Sequence, residues 1–195
     1  MSSLQIKLMT LTAAIIIAVA AVMYDAGRMP GNLVSADSKT DKPSEFPAAP
    51  DFTFTTLAGK AMTLSSVPES GVLLHFWAAW CTVCMAEFPS LLKAVAAQEG
   101  RVALIAVSTD DSREKMDRAL AALRRKNDAI MDSPYIYWVW DDDKDLSLKQ
   151  FSVARVPETF FIDSEQRLVH KAVGEADWVG EDMADKLFRL STSSL

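Results

Sequence analysis

The chain has 195 residues, with 26 acidic against 20 basic side chains and a formal net charge of −6. That length suits one ordinary domain plus a tail, and the acidic balance excludes a phosphate-reading surface, so no nucleic-acid partner is expected. Half the residues are hydrophobic, enough for a packed core, while two cysteines and two histidines (His75 and His170) exclude a disulfide-rich scaffold, a four-cysteine zinc site and a multi-histidine metal centre.

The run from Leu8 to Tyr24 carries no charge; Lys7 precedes it and Asp25 follows. As a helix it would be ~25 Å long, slightly short of a ~30 Å hydrocarbon core. Residues 1–25 are expected to be a signal anchor, with a cleaved signal peptide as the competing reading. Lys7 and Arg28 bracket the run, so the positive-inside rule favours a cytoplasmic N-terminus only slightly. Residues 26–50, punctuated by Pro30, Pro43, Pro47 and Pro50 among small polar residues, read as a flexible tether. Residues 51–195 read as a folded domain held outside the cytoplasm.

Phe52 to Thr55 and Ala61 to Leu64 flank Gly59 and predict a hairpin. Val72 to Trp77 and Val102 to Val107 are apolar runs of the kind a fully buried strand shows, His75 being the exception. A helix is expected from the cysteine pair to about Gln98. Asp111 and Glu114 form a capping pattern for a second helix ending near Arg125. Tyr135 to Trp140 reads as a strand and Leu146 to Phe151 as a short helix. Thr159 to Ile162 and Leu168 to Val173 read as a closing strand pair. Trp178 to Leu190 reads as a last amphipathic helix with Val179, Met183, Leu187 and Leu190 on one face. The alternation predicts an α/β fold with a mixed central sheet flanked by helices.

Cys81-Thr82-Val83-Cys84 directly follows a buried strand and opens a helix. The first cysteine then sits at a helix N-terminus, where free N–H groups and the macrodipole stabilise a thiolate. The second lies one turn on, within reach of a disulfide. Cys81 is expected to be the exposed nucleophile and Cys84 the buried resolving thiol of a redox-active pair. A structural disulfide and a Cu(I) site on the two thiolates are the alternatives. Haem attachment is excluded because residue 85 is Met85 rather than histidine.

The stretch from Val72 to Pro89, with "FWAAWC" at its centre, and the later "VPETFFID" and "VGEADW" resemble the membrane-anchored thioredoxin-like proteins of the bacterial envelope: the TlpA/ResA group and the CcmG (DsbE) type. The resemblance covers about residues 48–190. It implies a thioredoxin fold with an added N-terminal β-hairpin, an extracytoplasmic place in the cell envelope, and thiol–disulfide exchange in the reducing direction. By position it implies that Trp80 covers the disulfide and that Pro89 kinks the active-site helix. Pro157 would be a cis-proline facing the cysteines, with Val156 offering its backbone to a substrate strand. Glu87, six residues after Cys81, would be a carboxylate near the thiols. The alternatives are a core tryptophan at 80 and a surface glutamate at 87.

His75 departs from the pattern, since thioredoxins proper carry a buried aspartate there and this envelope group often has asparagine. It is expected either to relay the Cys84 proton or to be a neutral hydrogen-bonded core residue. Thr82-Val83 departs too, since many relatives have a proline there, and this leaves the direction of electron flow open. The expected partners are disulfide-bearing proteins, among them apocytochrome c or a copper-site protein, and a membrane thiol reductant as electron donor. No cofactor or metal is expected. The rivals are a periplasmic disulfide oxidase or isomerase and a Cu(I)-binding metallochaperone. The acidic run Asp141 to Asp143 with Asp145 reads as a solvated loop.

Overall fold

The structure, a computed structural model, describes residues 46–192. The expected anchor at Leu8 to Tyr24 and the tether up to residue 45 lie outside the described residues. Among the described residues no helix is long and apolar enough to cross a membrane.

The chain order is β1 (Thr53–Thr55), β2 (Ala61–Thr63), β3 (Gly71–Trp77), α1 (Thr82–Ala96), β4 (Val102–Ser108), α2 (Arg113–Met131), β5 (Ile136–Trp140), β6 (Glu158–Ile162), β7 (Leu168–Val173) and α3 (Glu181–Thr192). β1 and β2 pair antiparallel. The other strands form one mixed sheet in the order β5-β4-β3-β6-β7. β3 runs parallel to β4 and β4 to β5, whereas β6 lies antiparallel to β3 and β7 antiparallel to β6.

The period-two rule sorts β3 between two cores. Leu73 and Trp77 join the cluster that buries α1, α2 and α3, through residues such as Phe88, Met116 and Leu187. Val72, Leu74 and Phe76 join the opposite cluster, covered by Phe52, Phe54 and Met62 of the hairpin region and by Phe151 and Val153. All seven residues of β3 and of β4 are buried, which is why these strands read as continuous apolar runs. Both sheet edges are partly covered: Leu57 N donates to Trp138 O of β5, and Leu168 N of β7 donates to Pro47 O. The folded body therefore takes in Pro47 to Ala49, with Ala48 bridged to Arg167 and Ala49 buried.

Several element ends differ from expectation. α2 is capped at Ser112 rather than Asp111 and runs to Met131 past a break at Asn127 (φ −137°, ψ 26°), whose side-chain amide donates to Leu123 O. The segment Asp145–Gln150 is a π-type turn, begun by the Asp141 carboxylate accepting from Leu146 N and Ser147 N. Asp141 is accordingly buried, a correction to the solvated loop expected there, although Asp142 and Asp143 are exposed. α3 begins later than expected because Asp177 Oδ1 accepts from Val179 N and Gly180 N and holds a turn. That leaves Val179 exposed and turns Trp178 inward, out of the helix.

Candidate active site

The site lies past the carboxyl ends of the parallel strands, where open α/β sheets place their chemistry. β3 ends at Trp77, and its register partners at that end are Ser108 of β4 and, across it, Trp140 of β5. Four residues on, Cys81 caps α1 in an extended conformation (φ −82°, ψ 101°), and Cys84 N donates to its Sγ at 3.1 Å. Cys81 and Cys84 are joined by a disulfide. The first turn of α1 carries no carboxylate, so the positive end of the helix is left for a sulfur anion at Cys81 once the pair is reduced.

Cys84 is fully buried and Cys81 retains only 7% exposure. The latter corrects the expectation of an exposed Cys81. In the oxidised state its Sγ is folded in against Cys84 and lies 3.8 Å from Val156 O, so the loop before β6 covers it. The Val156–Pro157 peptide bond is cis. Trp80 is 67% exposed, which excludes the core reading, and it walls a cleft of about 270 Å³ with Lys144, Leu148, Val153, Arg155 and Val156. A cleft of about 410 Å³ between β1 and Asp141 to Asp145 contains none of the residues at the disulfide.

Glu87 lies three residues beyond Cys84, hence on the same face of α1. It is buried, which rules out the surface reading, and its Oε2 accepts from Ala176 N and from Trp178 Nε1, both at 3.2 Å. Burial pushes its pKa above the usual carboxylate range, against the pull of those two hydrogen bonds. Pro89, in the next turn, removes a backbone donor inside the helix.

His75 faces the same side of the sheet as Leu73 and Trp77 and is fully buried. Its Nδ1 shares a 2.9 Å hydrogen bond with Thr159 Oγ1, the residue opposite it in the β3–β6 register. Its Nε2 lies 3.9 Å from Glu87 Oε1, and neither atom has a hydrogen-bond partner. Burial lowers the imidazole pKa to about 3. Two ions would fit that distance, but desolvation drives both groups toward their neutral forms, and at 3.9 Å the contact is not a hydrogen bond. His170 lies apart, exposed on the edge strand β7.

The sequence reading did not single out Asp110, Thr159 or Trp178 as parts of the site. Asp110 is fully buried and its Oδ2 accepts from Ala79 N at 2.8 Å, two residues before Cys81. A signal for it was present: it lies two residues past the buried strand β4, at the end of the sheet where the cysteine pair sits. Among the described residues no cluster of histidine, cysteine and carboxylate side chains has the makings of a metal site.

Residues 47–171 match the AhpC/TSA family model. The chain is 32% identical over 170 residues to the thiol:disulfide interchange protein DsbE of Allochromatium vinosum, covering 84% of this chain and 82% of that protein. It is 28% identical over 128 residues to the thiol-disulfide oxidoreductase ResA of Bacillus cereus, covering 65% and 68%. Among solved structures, a DsbE-type thiol:disulfide interchange protein of Chlorobium tepidum superposes with a TM-score of 0.61 at 24% identity, over 75% of this chain and 96% of that one.

Proposed function

The chain belongs to the AhpC/TSA family and is a thiol:disulfide oxidoreductase of the DsbE/ResA type with a thioredoxin fold, and from that premise we propose that it reduces disulfides in other proteins outside the cytoplasm. The observation that carries this reading is the Cys81–Cys84 disulfide at the start of α1, with Cys84 N at the Cys81 sulfur.

In the reduced form the Cys81 thiolate attacks one sulfur of a partner disulfide. A mixed disulfide forms and the partner's other sulfur leaves as a thiolate. Cys84 then gives up its proton and attacks Cys81 Sγ, which expels the second partner thiol and leaves the Cys81–Cys84 disulfide. Two electrons pass from the pair to the partner. Glu87, on the face of α1 that bears Cys84, is in its carboxylate form the proposed acceptor of the Cys84 proton, which its raised pKa favours. His75 packs beside it at 3.9 Å, without a hydrogen bond to carry the proton further. Val156 and Pro157 border the disulfide where an extended partner segment can align, with the Val156 carbonyl available to its backbone. Trp80 forms the outer wall of that approach.

Residues 1–25 are proposed as the anchor and the residues from 26 up to Phe46 as the tether. Pro47 to Ala49, expected in the tether, are bonded into the thioredoxin-like domain, which is proposed to lie in the bacterial cell envelope. The proposed substrates are cysteines of apocytochrome c or of a copper-site protein, and the proposed donor is a membrane thiol reductant.

The test is trapping. A Cys84→Ala variant, incubated with a protein carrying one accessible disulfide, is expected to accumulate a mixed disulfide on Cys81 that dithiothreitol releases. The reverse variant, Cys81→Ala, is expected to accumulate none. Adducts on residue 84 alone, or on neither residue, would sink the assignment.

A further inference from the structure

Asp110 carries a function in the exchange reaction besides its part in the fold: we propose that it is a positioning residue whose buried carboxylate, by holding the Ala79 amide, sets the turn that presents Cys81. The proposal rests on Cys81–Cys84 being the redox pair.

The turn between β3 and α1 is short. Cys81 N donates to Ala78 O at 3.1 Å, which closes it, and Cys81 then caps α1. On its outer side the turn is held from the end of β4. Thr109 N and Thr109 Oγ1 both donate to Trp77 O, at 2.8 and 3.2 Å. Ala79 N donates to Asp110 Oδ2 at 2.8 Å, and Ser108 Oγ donates to the same oxygen at 2.8 Å. Asp110 is itself anchored from behind, its carbonyl accepting from Trp140 Nε1 and Lys144 Nζ, both at 2.9 Å. The acceptor is thus tied to three segments, and the turn is tied to the acceptor.

This clamp is costly in one respect. Asp110 is fully buried, and its Oδ1 has no hydrogen-bond partner. A buried polar atom left unpaired is destabilising, so a site built for stability alone has no call for it. What the carboxylate supplies is a short, strong bond to one amide, two residues before the attacking sulfur. The environment of that sulfur is set by its distance from the Cys84 amide and the helix end, 3.1 Å for the amide here. If the turn slackens, Cys81 Sγ drifts from those donors, the thiolate loses stabilisation and the attack slows.

The experiment uses the purified full-length chain in its reduced form. Cys81 thiolate is titrated by the pH dependence of alkylation, and the rate of reduction of a protein disulfide is followed in parallel. Asp110→Ala is expected to raise the Cys81 pKa and slow exchange near neutral pH by about tenfold, in line with what small displacements of reacting groups cost. Asp110→Asn keeps an oxygen for the Ala79 amide and is expected to restore most of both. A native thiol pKa in a folded Asp110→Ala variant overturns the proposal. So does an Asp110→Asn variant as impaired as the alanine, since charge rather than position would then be acting. Should Asp110→Ala fail to fold, Ser108→Ala carries the test: it frees one side of Oδ2 and is expected to shift the titration in the same direction, and an unmoved titration overturns the proposal. Failure of the wild-type chain to reduce any protein disulfide would instead strike the reading of the redox pair, while the alkylation titration would still report on Asp110.

Discussion

A histidine and a carboxylic acid buried side by side are most easily accommodated when neither is ionised, and the pair His75 and Glu87 makes that testable. The folded imidazole pKa, about 3, lies below its ordinary 6.5. Between these values the unfolded chain binds a proton that the folded chain refuses. The stability due to neutral His75 is therefore fully present above pH 6.5 and is lost as pH falls toward 3, at up to about 1.4 kcal/mol per pH unit. Glu87 acts in the opposite sense: its raised pKa favours the fold at low pH, and that contribution is lost as pH rises through the folded value. His75→Asn should flatten the acid-side decline, measured as urea-unfolding free energy at about pH 7 and about pH 4.5. Parallel declines in wild type and variant would remove His75 from this account. The sequence located His75 on a buried strand and Glu87 one turn past Cys84. It did not reveal Thr159 or Trp178 as their partners, because both contacts cross the fold: one depends on the β3–β6 register, the other on an indole turned inward by the Asp177 turn.

Elements whose signal is a run of apolar residues were legible, and β3 and β4 are the clearest, buried along their whole length. Features set by one side chain bonding to backbone were not. The break at Asn127 depends on its amide reaching Leu123 O, and the π-type turn depends on Asp141 reaching forward to two amides. Gly71 belongs with these. A methyl group there would lie 2.7 Å from Leu190 O and 2.6 Å from Leu190 Cγ, so the start of β3 and the end of α3 meet at a distance only glycine allows. Since the backbone carbonyl cannot step aside as a rotamer does, Gly71→Ala should destabilise the domain by about 1–3 kcal/mol in chemical denaturation. Because Gly71 is at the end of β3 away from Cys81, the exchange rate per folded molecule should be unchanged. A variant as stable as wild type would show that α3 docks more loosely than the contact implies.

For the molecule as a whole, the proposed anchor predicts which side of a membrane the disulfide works on. A full-length chain fused at its C-terminus to a phosphatase active only outside the cytoplasm should be active in cells. An inactive fusion, paired with an active cytoplasm-specific reporter, would move the domain to the other side. The sheet adds a directional constraint. Chain entry at Pro47 and Ala49 bonds to Leu168 and Gln166, beside the β6–β7 turn, and that turn neighbours the start of β3, where Val72 is opposite Ile162. Cys81 lies beyond the other end of β3, roughly 20 Å away at strand rise. The described chain therefore enters the domain at the end of the sheet opposite the disulfide. Lengthening or shortening the proposed tether is expected to change how far the disulfide reaches while leaving the residues around it unchanged.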